Sequence, residues 1–99
     1  MSPLKTRQAK ELFRALLALE TEEDCIAFLE DLCTVNEILE MSQRLDVAKN
    51  LLEKKTFNQI GKETGASSAT ISRVNKCVLY GGGGYQRILS RLAETKEKK

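Results

Sequence analysis

Apolar residues recur along this chain at intervals of three and four, the spacing that lines side chains along one face of an α-helix. The clearest run is Ile38, Met41, Leu45, Ala48 and Leu52, separated by three, four, three and four residues, with Leu39, Val47 and Leu51 widening the stripe. Thr34 and Glu37 stand just ahead of it at the spacing of a capping box, in which each side chain satisfies a backbone N–H at the helix start. One long helix to about Lys54 is therefore predicted. Its apolar arc is broad enough to serve both an intrachain core and a dimer interface.

Between Leu4 and Leu19 a first helix is expected from Leu12, Phe13, Leu16, Leu17 and Leu19, with Lys5, Arg7, Lys10 and Arg14 mainly on other faces. Thr21 opens a second. Glu22, Glu23 and Asp24 fill its first turn, where unpaired N–H groups and the helix dipole favour negative charge. Ile26, Phe28, Leu29, Leu32 and Cys33 supply its apolar surface. The only proline, Pro3, falls outside these helices. The β-branched residues are isolated within helical patterns, so no strand is predicted and the fold class is all-α.

Residues 56–79 read TFNQIGKETGASSATISRVNKCVL. Thr56 and Gln59 again have capping-box spacing, which predicts a short helix over Phe57–Thr64. Gly65 supplies the left-handed backbone of a tight turn, and Ser67 or Ser68 caps a following helix to about Leu79. Ile71, Val74 and Val78 mark its inner face, and Ile60, Ala66, Ile71 and Val74 form the expected core between the two helices. Gly61 weakens a helix interior, and its missing side chain is expected to let the second helix approach closely. The run at 81–84, four glycines, lacks the lysine and the spacing of a phosphate loop and reads as a linker. A C-terminal helix at 85–94 follows, anchored by Ile88, Leu89 and Leu92, and the tail from Lys96 to Lys99 is expected to fray.

The composition narrows the class without choosing a function. With 99 residues, 41% of them apolar and 30% charged, 1–99 reads as a single soluble domain. The net charge of +2 conceals an uneven distribution. Residues 1–19 carry four bases and one acid, residues 20–46 one base and nine acids, and residues 47–99 eleven bases and four acids. A basic half beside an acidic stretch suits a protein that presents one face to a polyanion. Cys25, Cys33 and Cys77 lie at no disulfide or zinc spacing and read as buried small hydrophobes of a reducing, cytoplasmic compartment. There is no histidine, and no nucleophile stands beside a base, so neither an enzyme nor a metal or other cofactor is expected. Nothing resembles a secretory signal or a membrane span.

Two short helices joined by a three- to four-residue turn containing glycine describe a helix-turn-helix, whose second helix enters the major groove of double-stranded DNA. The side chains left facing outward on that helix are Ser68, Ala69, Ser72, Asn75 and Lys76, the candidates for reading base edges. Ala69 suits a thymine methyl, and the serines can donate or accept. Lys54, Lys55, Thr56, Asn58, Gln59, Lys62, Thr70 and Lys76 are candidates for phosphate contacts, which hold register. One short helix offers limited contact area, so two copies reading related half-sites are expected. The competing reading is a helical interaction or adaptor module that ignores DNA; salt-sensitive, sequence-selective duplex binding separates the two.

The stretch FLEDLCTVNEI, then RLDVAKNLL, then GASSATISRVNKC before the glycine run and Tyr85, resembles the Trp-repressor-like proteins and especially their YerC/YecD branch, over nearly the whole chain. The resemblance implies six helices, with those outside the DNA-reading unit intertwined in a homodimer, and a repressor. It also implies a ligand pocket. In Trp repressor the indole sits between two arginines, matched here by Arg44 and Arg73, with a threonine and a serine near the charged groups, matched by Thr34 and Cys77. Val74 replaces the glycine after the second arginine, and cysteine is a weaker polar partner than serine. Tryptophan is therefore not expected as effector; no small-molecule effector is the leading expectation, while a different small molecule stays open.

Overall fold

Most of the helices begin where a side-chain oxygen can cap them, and a computed structural model, which describes residues 3–97 and the side chains of 3–94, shows where each cap falls. After a 3₁₀ turn at Pro3–Lys5 come α1 (Arg7–Leu17), α2 (Glu22–Leu32), α3 (Val35–Leu52), α4 (Phe57–Thr64), α5 (Ser68–Tyr80) and α6 (Gly84–Glu97). No strand occurs among the described residues. Residues up to Val35 form one compact unit and those from Asn36 onward a second.

In the first unit the expected continuous helix from Leu4 is interrupted. Thr6 takes an extended conformation and its hydroxyl accepts from the Ala9 N–H at 3.1 Å, so α1 starts at Arg7 and Pro3 lies within the preceding turn. Thr21 caps α2 as predicted, accepting from the Asp24 N–H at 3.0 Å, while the Asp24 carboxylate reaches back to the Glu20 N–H at 3.1 Å. Neither α1 nor α2 has a buried residue. Leu12, Phe13, Leu16, Leu17, Ile26 and Leu32 all stand exposed in the single chain.

The second unit holds the core. Val47 and Ala48 from α3, Ile60 from α4, Ala66 from the turn, and Ile71 and Val74 from α5 are buried together; Leu51, Val78, Tyr85 and Leu89 pack around them. Fully burying a side chain such as Ile60 or Ile71 contributes about 1.5–3 kcal/mol, so this cluster is the principal tie between α3, α4 and α5. The expected core of Ile60, Ala66, Ile71 and Val74 is present in full. The broad stripe of α3 is only partly covered: Val47 and Ala48 are buried, but Leu39, Met41 and Leu45 are exposed. Asn50 is the buried polar residue among those described, and its amide donates to the Asp46 carbonyl at 2.8 Å, within its own helix.

Four further expectations change. The long helix stops at Leu52, because Lys54 adopts a left-handed backbone with φ 66°. The Lys54 N–H then bonds to the Leu51 carbonyl at 3.0 Å and the Lys55 N–H to the Asn50 carbonyl at 3.2 Å, the paired closure of a Schellman motif. Gly84 belongs to α6, so the joint after α5 is Gly81–Gly83, and Lys96 and Glu97 continue α6; Lys98 and Lys99 lie outside the described residues. On α6, Tyr85 and Leu89 reach the core, whereas Ile88 and Leu92 are exposed.

Candidate nucleic-acid interface

The local chemistry of residues 56–68 aims α5. Thr56 and Gln59 form the predicted capping box, with the Gln59 N–H donating to the Thr56 hydroxyl at 3.2 Å and the Thr56 N–H to Gln59 Oε1 at 2.9 Å. Gly65 closes α4 at φ 75°, a conformation open to glycine without steric cost. The Thr64 hydroxyl donates to the Ile60 carbonyl at 2.7 Å and accepts from the Ala66 N–H at 3.1 Å, stitching the turn to α4. From α3, Gln43 Nε2 reaches the Thr64 carbonyl at 3.3 Å. Ser67, not Ser68, caps α5: its oxygen accepts from the Thr70 N–H at 3.2 Å.

Gly61 does not act as expected. A methyl group built there would meet the Ala66 carbonyl oxygen at 3.8 Å and Ile71 Cδ1 at 3.9 Å, ordinary van der Waals separations. The crossing of α4 and α5 therefore does not depend on a missing side chain at this position.

With Ile71 and Val74 buried and Val78 half-buried, the opposite arc of α5 faces solvent. Ser68, Ser72 and Lys76 follow one another at i, i+4 and i+8 along it, with Ala69 beside them, and all four are exposed. Asn75 sits at the edge of the arc, half-buried. A groove of about 390 Å³ between α4 and α5 brings together Asn58, Lys62 and Ser68 over the rings and methyls of Phe57 and Ile71. Lys54 and Lys62 are exposed. The remaining phosphate candidates make local hydrogen bonds or ion pairs. Thr56 and Gln59 hold the capping box, and the Thr70 hydroxyl accepts from Ser67 Oγ at 3.1 Å. Lys55 Nζ lies 2.8 Å from Glu63 Oε2 and 3.7 Å from Glu53 Oε1, and the hydrogen bond to Glu63 leads the causes that raise its pKa above 10.5.

Of the four residues matched to a ligand pocket, Arg44 is half-buried and Arg73 and Cys77 are exposed, one turn apart on α5; Thr34 belongs to the first unit. Cys77 is thus not the buried hydrophobe expected, because its position on α5 falls outside the arc that meets the core. Cys25 and Cys33 are half-buried rather than buried. Gln43, Thr64 and Phe57 escaped the reading from sequence. A threonine immediately before a helix-ending glycine is a local signal for Thr64, but Gln43 acts across 21 residues and leaves none.

A short helix, a glycine turn and a second helix with a buried inner face and a small polar, lysine-flanked outer face define a helix-turn-helix DNA-binding regulator, a class without catalysis. The family model described as Trp repressor protein matches residues 7–93, and the chain belongs to that family, in its YerC/YecD branch. It is 47% identical over 92 residues to YerC of Bacillus subtilis (strain 168), described as uncharacterized, covering 93% of this chain and 88% of YerC. A TrpR-like protein from Eubacterium eligens ATCC 27750 has a crystal structure that superposes with a TM-score of 0.88 at 50% identity, over 91% of this chain and 93% of the other. A candidate Trp repressor from Staphylococcus aureus also has a TM-score of 0.88, at 48% identity, over 91% and 90% of the two chains. The all-α, six-helix fold is the one these structures share. No described helix is long and apolar enough to cross a membrane.

Proposed function

We propose that this chain is a transcription regulator, acting as a repressor, that reads double-stranded DNA in the major groove through α5 and does so as a homodimer. The observation that carries the reading is the outer arc of α5, where Ser68, Ala69, Ser72 and Lys76 are exposed together on a helix whose other face is held in the core. Ser68, Ala69 and Ser72 read base edges, with Asn75 at the margin, while Lys62, Lys54 and Asn58 hold phosphates. Lys76 serves either purpose. Lys55 and Thr56 contribute less, since the Lys55 ammonium and the Thr56 hydroxyl already donate to Glu63 and Gln59, whereas the side chains of Gln59 and Thr70 are engaged as acceptors.

The homodimer is supported by what one chain leaves uncovered: Leu12, Phe13, Leu16 and Leu17 on α1, Leu39, Met41 and Leu45 on α3, and an open groove of about 470 Å³ between α3 and α6 walled by Leu52, Leu89, Leu92 and Ala93. Interlocking two copies would cover such faces. Helix-turn-helix dimers, Trp repressor among them, read half-sites about one duplex turn apart, roughly 34–36 Å.

Tryptophan is not the effector in this reading. Val74, where Trp repressor has glycine, is buried with the core, and Cys77 replaces a better hydrogen-bonding serine. Any effector near Arg44 and Arg73 would be a different small molecule.

Selection from a random duplex library tests the assignment. The enriched sequence should outcompete scrambled duplex, with affinity falling as salt rises. Lys62→Ala should weaken all duplexes alike, whereas Ser72→Ala or Ala69→Ser should change which sequence wins. Failure to enrich any sequence at physiological salt would favour the adaptor reading instead.

A further inference from the structure

The chain carries a glutamine at the third position of two helices, and the two do different things. Gln59 in α4 folds back on its own N-cap, Thr56, as a capping box. Gln86 in α6 does not. Its Nε2 donates to the carbonyl of Val78, eight residues back in the last turn of α5, at 2.6 Å. A carbonyl only accepts, so this bond orients the amide, and Gln86 Oε1 is left buried with no hydrogen-bond partner among the described residues. A buried orphan acceptor opposes folding, and an apolar side chain of similar length would remove the bond and the orphan together. Stability alone therefore gives little reason for glutamine here.

Geometry gives a better one. Between α5 and α6 the backbone is glycine, and only part of that is required by space or conformation. A side chain at Gly81 would run into the Cys77 carbonyl, and Gly83 has φ +82°, but Gly82 and Gly84 have open space around them. The joint is thus looser than its path demands. Tyr85 and Leu89 seat α6 on the core, so the Gln86 amide ties the C-terminal end of α5 to a second seated helix across the glycine joint.

We propose that Gln86 is a positioning residue for DNA reading: its amide, bonded to Val78 across the glycine joint, fixes the attitude of α5 and so the aim of Ser68, Ser72 and Lys76. This rests on the DNA-reading assignment above. The residue touches no base; it acts through the backbone of the helix that does.

The test uses the full chain with Gln86→Met, which removes the donor, and Gln86→Glu, which sets a carboxylate against the Val78 carbonyl yet suits the N-terminal turn of a helix. Three quantities are measured: melting temperature, amide hydrogen exchange along α5, and the affinity ratio between the selected duplex and a scrambled one. Gln86→Met should melt close to wild type and Gln86→Glu lower, for the charge it sets beside a carbonyl, and both should exchange faster in the last turn of α5. The selected-to-scrambled ratio should fall about tenfold, the size of one lost base contact, with scrambled-duplex binding within about twofold because phosphate contacts remain. A folded variant with either the ratio or the exchange unchanged overturns the proposal. If one variant unfolds, the other decides. Wild-type protein that prefers no duplex overturns the DNA-reading assignment instead, and hydrogen exchange still reports whether Gln86 holds α5.

Discussion

At the scale of single residues, the unexpected roominess around Gly61 leads to the sharpest stability prediction. The site is inside α4, its backbone is helical, and an added methyl meets its nearest neighbours at 3.8 and 3.9 Å. Gly61→Ala should therefore stabilise the fold by about 0.5–1 kcal/mol, since alanine loses less backbone freedom on entering a helix. Urea unfolding measures it, and a destabilised variant would restore the close-approach role to this glycine. Lys55 makes a second prediction, about pH. The Glu63 carboxylate hydrogen-bonded to its ammonium raises the lysine pKa above 10.5, so, with the carboxylate ionised, the pair's contribution is complete below that value and is lost as pH climbs through the higher folded-state pKa. The stability gap between wild type and Glu63→Gln should hold constant through neutral pH on this account and narrow only in strong alkali. Narrowing near neutrality would show that the pair is not what separates them.

At the scale of helices, local chemistry was legible and distant chemistry was not. Thr21, the Thr56–Gln59 box and the left-handed Gly65 each act within a few residues, so their spacing carried the information. The same holds for the inner stripe of Ile71, Val74 and Val78, because helical periodicity alone sorts a helix into faces. The outer stripe of the candidate site was legible for that reason. Engagement was not: Lys55 looks like a free cation until Glu63, eight residues on, is seen beside it. Nor was the end of α3 visible, because lysine is not a residue that favours the left-handed conformation. There the paired N–H bonds of the closing turn hold Lys54 at φ 66°, against its own preference. Lys54→Gly should relieve that conformation and leave stability unchanged or raised by up to about 1 kcal/mol, the left-handed cost being partly offset by glycine's greater unfolded freedom. Thermal melting checks it. A clear loss would mean that the lysine side chain contributes something its exposed position does not reveal.

At the scale of the whole molecule, the question is what a single chain lacks. Among the described residues the buried ones all come from α3 to α5 and the turn between α4 and α5, while the apolar face of α1 made by Leu12, Phe13, Leu16 and Leu17 is only partly covered, Leu17 being 85% exposed. A second copy is the proposed cover, and that couples folding, assembly and DNA reading. If two chains fold together, the melting temperature must rise with protein concentration, because dissociation accompanies unfolding. Leu16→Asp places a charge in the middle of that face and should shift sedimentation toward the 11.1 kDa mass of one chain. The same substitution should cost selected-duplex affinity far more than scrambled-duplex affinity. Two linked reading helices act on adjacent half-sites at a high effective concentration, an advantage of about 10²-fold or more that a lone subunit forfeits. The phosphate contacts of each subunit survive. The two measurements constrain one another. A wild type that sediments as a monomer at every concentration yet binds its selected duplex tightly would place the whole specificity in one α5 helix, and the exposed face of α1 would then need a different partner.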